Sequence, residues 1–201
     1  MSTVHITDCG LPGIRDIPYG VHMCHFYDGR EELAAVLVPY FAAGLRNNER
    51  CIWITADPLD EAQARLELQK AGFDPQAEER KGSLTIQSHA QWYAGAEGLK
   101  GNEIVGLWLA EEGRALADGF NGLRITGNVS FVSADAWPVF MEYEATLDSS
   151  LHGHRIVTLC SYPLSRSRAT DVFDVVHRHH CTLDHPDHGW QILTAEPRYA
   201  R

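Results

Sequence analysis

Two hydrophobic periods alternate along the chain. Short, nearly continuous apolar runs are each followed by a stretch in which apolar residues recur every three or four positions. Runs of the first kind predict buried strands at residues 21–27, 50–57, 83–89, 122–128 and 155–162. Stretches of the second kind predict helices at 30–49, 58–73, 102–120, 136–153 and 169–180. Residues 181–194 predict a hairpin that turns around Pro186 to Gly189.

Strand and helix alternate at a spacing that is typical of an α/β protein. We expect three layers: a mostly parallel sheet, helices on both of its faces, and the C-terminal hairpin as an antiparallel edge. Pro39 predicts a kink or a break in the first helix. Residues 1–20 are rich in Gly, Pro and Asp and predict an irregular lead-in, residues 21–195 one domain, and residues 196–201 a tail.

Charge and cysteine usage narrow the class of protein. The formal net charge of −10 argues against nonspecific binding to nucleic acid or to an anionic membrane surface. No apolar run approaches the roughly 20 residues of a membrane span, and the N-terminus has no secretion-signal pattern. The five cysteines are scattered without CxxC pairing, which predicts reduced thiols and a cytoplasmic protein.

Several kinds of catalytic motif are missing from the sequence. The segment after the first strand, "YDGREEL", has one glycine and no lysine, so it does not form a phosphate loop and we expect no ATP hydrolysis. Neither GxSxG nor HExxH occurs. Glu142 and Glu144 lie two apart on a predicted helix and therefore point in different directions, which disfavours a catalytic pair. We expect a protein that is not an enzyme.

Aromatic and polar residues follow the predicted strands. Ligands of open α/β sheets bind beyond the carboxyl ends of the strands. Tyr27, Asn128, Trp137 and Tyr162 stand at or after three of these ends. Such a rim suits a small organic ligand better than a bare phosphate.

The first strand, "VHMCHFY", concentrates groups that could bind a metal. Side chains alternate along a strand, so His22, Cys24 and Phe26 share one face. Cys160 of the fifth strand is the best candidate for a third metal ligand, and His177 and His180 are others. A metal ion or a haem at His22 and Cys24 is one alternative, and a packed thiol beside a hydrogen-bonded histidine is the other.

The chain resembles a known sensory family from about His22 to Leu193. The motifs that carry the resemblance are H-x-C-x-F-Y in the first strand, "GLRITGN", "YEA" and C-x-Y in the fifth strand, in that order. They are similar to the MEDS domain of methanogen and methylotroph signalling proteins and of dichloromethane-repressor-type regulators. The resemblance implies a RecA-like or KaiC-like sheet that lacks the phosphate loop.

The resemblance also implies a role and a set of site residues. The role is to bind a small molecule, a simple hydrocarbon derivative, and to signal to a fused or partner module such as a kinase or a transcription regulator. The matching motif positions are His22, Cys24, Phe26, Tyr27, Arg124, Asn128, Tyr143, Glu144, Cys160 and Tyr162. No output domain is visible in the sequence, so we expect a partner and a homodimer.

Three functions therefore stay open at this point. We favour a non-catalytic sensory domain that binds a small molecule. The first alternative is a metal-binding or haem-binding protein, or a metalloenzyme, that uses His22 and Cys24. The second is a degenerate nucleotide-binding scaffold that only assembles.

Overall fold

The computed structural model describes residues 5–94, 101–185 and 189–194. The strands of this part are β1 (Ile6–Asp8), β2 (Asp16–Pro18), β3 (His22–Tyr27), β4 (Arg50–Thr55), β5 (Leu84–Ser88), β6 (Leu123–Asn128), β7 (Ile156–Pro163), β8 (Cys181–Asp184) and β9 (Gln191–Thr194). The α-helices are α1 (Arg30–Arg46), α2 (Glu61–Lys70), α3 (Pro75–Lys81), α4 (His89–Trp92), α5 (Gly101–Ala117), α6 (Trp137–Ser150) and α7 (Ala169–Val176). The expected turn residues 186–188 and the tail 196–201 lie outside the described residues.

Within these residues, one seven-stranded sheet has the order β5-β4-β6-β7-β3-β8-β9. In the described part of this sheet, neighbouring strands are parallel except for β8 and β9, which pair in the antiparallel sense. The expected α/β sheet with an antiparallel hairpin at its edge is therefore confirmed. Because β3 is flanked by β7 and β8, the strand with the H-x-C-x-F-Y motif lies inside the sheet.

Alternating strand residues fill cores on the two faces of the sheet. Trp53 of β4 packs with α1 and α2, whereas its neighbours Ile52 and Ile54 pack with α5 and α6. In β3, Met23 faces the α1 side, and Cys24 faces α6 and α7. The helices thus form a layer on each face, as the sequence predicted.

Local differences from the sequence prediction have clear causes. Helix α1 continues through Pro39, so the expected break is wrong. The free energy gained by burying one face of α1 outweighs the loss of the hydrogen bond that a backbone N–H at position 39 would make. Helix α2 begins only after Asp60, whose side chain closes a capping box with Gln63. Helix α7 ends at Val176, so His177 caps the helix and His180 lies beyond it. In the described part of the chain, no helix is long and apolar enough to cross a membrane.

The lead-in is more ordered than its composition predicts. Strands β1 and β2 form a small antiparallel sheet, which corrects the expectation of an irregular segment. A buried ion pair attaches it to the main sheet: Arg124 Nε lies 2.5 Å from Glu49 Oε2, and both side chains are fully buried. The same guanidinium donates to the backbone carbonyls of Cys9 and Asp8.

This ion pair predicts a loss of stability in acid. Burial alone would raise the pKa of Glu49, but the charge and hydrogen bonds of Arg124 outweigh burial and lower the pKa. The contribution to stability is therefore present above the unfolded pKa of about 4.3 and is lost as pH falls through the lower folded value. We expect urea midpoints to fall more steeply below about pH 4.3 in the wild type than in a Glu49→Gln/Arg124→Met double variant. Parallel slopes in the two proteins would contradict this assignment.

Candidate functional site

A large cavity opens beside α5 and α6, beyond the carboxyl ends of β5 and β6. Its volume is about 1040 Å³. The residues that line it are His89, Ala90, Tyr93, Gly101, Asn102, Ile104, Phe131, Val132, Ser133, Ala136, Val139, Phe140, Glu142, Tyr143 and Thr146. The position agrees with the general rule that ligands of open α/β sheets bind at this edge. Residues 95–100, between α4 and α5, lie outside the described part of the chain.

Aromatic rings form much of the cavity wall. The His89 ring stacks on Phe131 with centroids 4.2 Å apart and planes 9° apart. The Tyr93 ring is tilted against Phe131, with centroids 6.2 Å apart. On α6, Phe140 and Tyr143 are 5.7 Å apart. Such a wall offers apolar contact area with a few polar atoms, which is typical of small-molecule sites.

A hydrogen-bond network holds the ends of β3, β4 and β6 together at the same edge. Tyr27 donates to Asn128 Oδ1 across 3.2 Å, and the Asn128 amide donates to the carbonyl of Asp57 across 3.3 Å. The Ser130 N–H also donates to Asn128 Oδ1. The side-chain amide of Asn128 thus both donates and accepts in this network and connects the three strand ends.

Below the cavity, four side chains from four segments form a buried cluster. His22 (β3), Glu144 (α6), Cys160 (β7) and His179 (between α7 and β8) each direct one potential ligand atom inward, and all four atoms lie within 4.8 Å of one another. Every member is at most 4% exposed. Among the described residues this is the group with metal-ligand geometry.

The distances within this cluster are short. His22 Nε2 lies 3.2 Å from Glu144 Oε2 and 3.4 Å from Cys160 Sγ. His179 Nε2 lies 3.4 Å from the same Glu144 oxygen, and Cys160 Sγ lies 3.8 Å from it. The two imidazole rings have centroids 3.9 Å apart.

Burial and neighbouring charges raise the pKa of two members of the cluster, His22 and Cys160, and lower that of a third, His179. Burial acts to lower the pKa of His22, but the carboxylates of Asp148 and Glu144 outweigh it and raise that pKa. Burial, together with the charge of His22, lowers the pKa of His179 far below its usual value. Burial and the Glu144 carboxylate raise the pKa of the Cys160 thiol well above its usual value.

The structure brings several of the predicted site residues together. His22, Glu144 and Cys160 meet in the cluster, and the Tyr162 hydroxyl lies 3.4 Å from His179 Nε2. Phe26 and Trp137 pack on the Tyr162 ring at 5.7 and 6.3 Å between centroids, while Tyr143 lines the large cavity.

Cys24 and Arg124, which were also predicted, lie apart from both the cluster and the large cavity. Cys24 is fully buried, and its sulfur lies 3.3 Å from the Thr182 hydroxyl. It is absent from the group with metal-ligand geometry in the described residues. Neither His22 nor Cys24 is among the residues that line the large cavity. A haem needs a cavity beside its axial ligands, so this arrangement disfavours the haem alternative. Arg124 belongs to the buried ion pair with Glu49.

Sequence reasoning missed His179 and most of the cavity wall, of which it named only Tyr143 among the site residues. The predicted helix over 169–180 placed His177 and His180 on one face, whereas α7 ends at Val176 and the following turn directs His179 inward. His180 instead contacts Asp148, with 2.9 Å between its Nδ1 and the carboxylate Oδ1. His89 is the last residue of the predicted strand 83–89, and Phe131 lies in a segment without periodicity; their position at or after a strand end was the available signal.

Comparisons with known proteins agree with this architecture. The structure resembles the crystal structure of a KaiC-like protein from the hyperthermophilic archaeon Pyrococcus horikoshii OT3, with a TM-score of 0.60 and 15% sequence identity over 99% of this chain and 91% of that chain. At this identity the likeness concerns the fold. A comparison with curated protein sequences finds no match.

The sequence itself matches one family over most of its length. The match covers residues 21–180, from β3 to the end of the turn that carries His179. The expected resemblance is thereby confirmed. The chain belongs to the MEDS family, the methanogen/methylotroph, DcmR sensory domain.

Proposed function

We propose that this chain is a non-catalytic sensory domain that binds a small organic molecule in the cavity between α5 and α6. The observation that carries the proposal is the cavity itself, whose volume of about 1040 Å³ slightly exceeds the usual range of about 300–1,000 Å³ for ligand sites. Its place beyond the strand ends and the membership of a sensory-domain family support the same conclusion.

The cavity wall indicates the chemistry of the ligand. No Lys or Arg occurs among the described residues that line it, whereas Glu142 contributes a carboxylate. Among these described residues an anionic ligand would find no Arg or Lys, the side chains that usually hold carboxylates and phosphates. A neutral or cationic hydrocarbon derivative, such as an alcohol, an amine or a halocarbon, fits the aromatic wall.

Helix α6 is the element through which binding would be transmitted. It lines the cavity with Phe140 and Tyr143, and the next residue, Glu144, enters the buried cluster. A ligand shifts a conformational equilibrium by its differential affinity for two states. We propose that the ligand changes the packing of α5 and α6 and so alters a homodimer surface that a kinase or a transcription regulator recognises.

Thermal-shift measurements with small alcohols, amines, aldehydes and halocarbons test the binding proposal. A ligand that fills the cavity at about 100 times its Kd stabilises the native state by about 2.7 kcal/mol. For a chain of this size we expect the Tm to rise by about 5–10 °C.

Filling the cavity provides the matched control. Ala90 and Ala136 line the cavity and are exposed, so Ala90→Trp and Ala136→Trp should fold and reduce the ligand-induced shift. Ala35→Trp, an exposed position on α1, should keep the full shift. The proposal fails if no compound moves the Tm, or if the three tryptophan variants respond equally.

A further inference from the structure

We propose that His22, Glu144, Cys160 and His179 bind one divalent metal ion of the zinc type. This site is separate from the cavity between α5 and α6 and does not rest on the proposed function. It also differs from the set His22, Cys24 and Cys160 that the sequence indicated, because Cys24 lies outside the group and two other residues enter it.

Four of the six distances between the ligand atoms are close to those of a tetrahedral site, and the other two are at most 4.8 Å. Zinc binds nitrogen and carboxylate oxygen at about 2.0–2.2 Å and thiolate sulfur at about 2.3 Å, so tetrahedral ligand atoms lie about 3.3–3.6 Å apart. The separations from His22 Nε2 to Glu144 Oε2 and to Cys160 Sγ are 3.2 and 3.4 Å. Those from Glu144 Oε2 to His179 Nε2 and to Cys160 Sγ are 3.4 and 3.8 Å. Rotations of the side chains that bring His179 Nε2 closer to the other ligand atoms would complete the tetrahedron.

The outer contacts of both histidines are those of metal ligands. His179 Nδ1 lies 2.8 Å from the carbonyl oxygen of Val175, which can only accept, so Nδ1 carries the proton and Nε2 presents its lone pair to the cluster. His22 Nδ1 lies 3.3 Å from Asp148 Oδ1, and Nε2 faces the cluster. Metal-bound histidines usually donate their second N–H to a carbonyl or a carboxylate in this way.

The atoms that meet at the centre call for a cation. The lone pair of His179 Nε2 and the carboxylate oxygen of Glu144 are both acceptors, and they lie 3.4 Å apart in a fully buried space. The Tyr162 hydroxyl lies 3.4 Å from the same nitrogen, so it can donate only a long hydrogen bond to it. A divalent ion would balance the Glu144 carboxylate and a Cys160 thiolate, with the thiol proton released to solvent.

The set of donors indicates which metal binds. Two imidazoles, one thiolate and one carboxylate suit zinc, whereas calcium and magnesium prefer oxygen ligands alone. Four protein ligands fill a tetrahedral shell, which is typical of structural sites. Because the ligands come from β3, α6, β7 and the segment before β8, the ion would connect four segments of the domain.

Metal analysis of the full chain tests this assignment. Protein purified under reducing conditions from cells grown with added Zn²⁺ should contain about one zinc per chain when the closed four-ligand site is filled. Protein loaded with Co²⁺ should show the intense visible bands of tetrahedral cobalt together with a near-ultraviolet thiolate-to-cobalt band. Zinc affinity is then measured by competition with a chromophoric chelator.

Variants of neighbouring residues separate this site from the alternatives. Cys160→Ala should abolish the thiolate band, and His179→Ala should weaken zinc binding by more than about 100-fold. Asp148→Asn, which changes the outer contact of His22 and the ion pair with His180 but none of the four ligands, should weaken it by about 10–100-fold. Cys24→Ala and Cys181→Ala are the matched controls, since both thiols are buried nearby and should leave the zinc content unchanged.

Circular dichroism establishes that each variant is folded. If Cys160→Ala does not fold, Glu144→Gln, which keeps the side-chain shape, replaces it and should show the same loss of zinc. The proposal is overturned if the wild type binds zinc below one-tenth of an equivalent, if cobalt gives octahedral bands without a thiolate band, or if Cys24→Ala loses as much zinc as Cys160→Ala.

Discussion

The Arg124→Met variant is expected to lose about 3–5 kcal/mol of the free energy of unfolding, because it leaves the other charge of a buried ion pair without its partner. For a chain of about 200 residues this corresponds to a fall of Tm by about 6–20 °C. Arg124 is fully buried, and its guanidinium lies against Glu49 and over the Tyr40 ring at 4.6 Å. Methionine fills much of the volume but leaves the Glu49 carboxylate without its cation.

Urea denaturation with the double variant Glu49→Gln/Arg124→Met tests the cause of this loss. Because the double variant removes both charges, it should recover a large part of the stability that the single variant loses. A single variant within about 1 kcal/mol of the wild type would contradict the prediction, since it would mean that water reaches the pair.

The Trp53→Ala variant is expected to lose a similar amount, about 3–5 kcal/mol, through a cavity in the α1 core. Trp53 is 1% exposed and stacks on Phe41 with ring centroids 4.7 Å apart and planes 17° apart. The contact joins β4 to α1, so its removal takes away both buried area and an aromatic pair.

A matched aromatic control makes the Trp53 measurement specific. Phe173 on α7 is 66% exposed, and Phe173→Ala should change the free energy of unfolding by no more than about 0.5 kcal/mol. Guanidinium denaturation of both variants measures the difference. Equal losses at the two positions would show that burial does not set the cost.

The hydrophobic pattern predicted the strands of the main sheet because each is a short apolar run with its own boundaries. The run at 50–57 becomes β4, and the run at 155–162 becomes β7 almost residue for residue. Boundaries of helices were harder, since they depend on caps. Helix α2 begins later than the apolar pattern suggests, because the side chain of Asp60 caps its first turn. Helix α3 has Pro75 as its buried residue, so it shows no apolar periodicity from which a helix could be predicted.

The site was only partly predictable, because a site joins residues that are distant in sequence. Strand alternation correctly placed His22 and Cys24 on one face of the sheet. However, His179, one of the residues that meet His22 in the cluster, comes from a turn after α7. Glu142 and Glu144 do point in different directions, the first exposed and the second buried, as helical geometry required. Nothing in periodicity could direct His179 inward, since that depends on where α7 ends.

The position of β3 has a consequence for how the chain folds. This strand ends at Tyr27, while its two neighbours begin only at Ile156 and Cys181. Pairings of such long sequence separation must close a large loop before they gain any stability. During synthesis, the strand His22–Tyr27 therefore stays unpaired until β7 and β8 have emerged, which leaves its edges and side chains open to wrong contacts for that time.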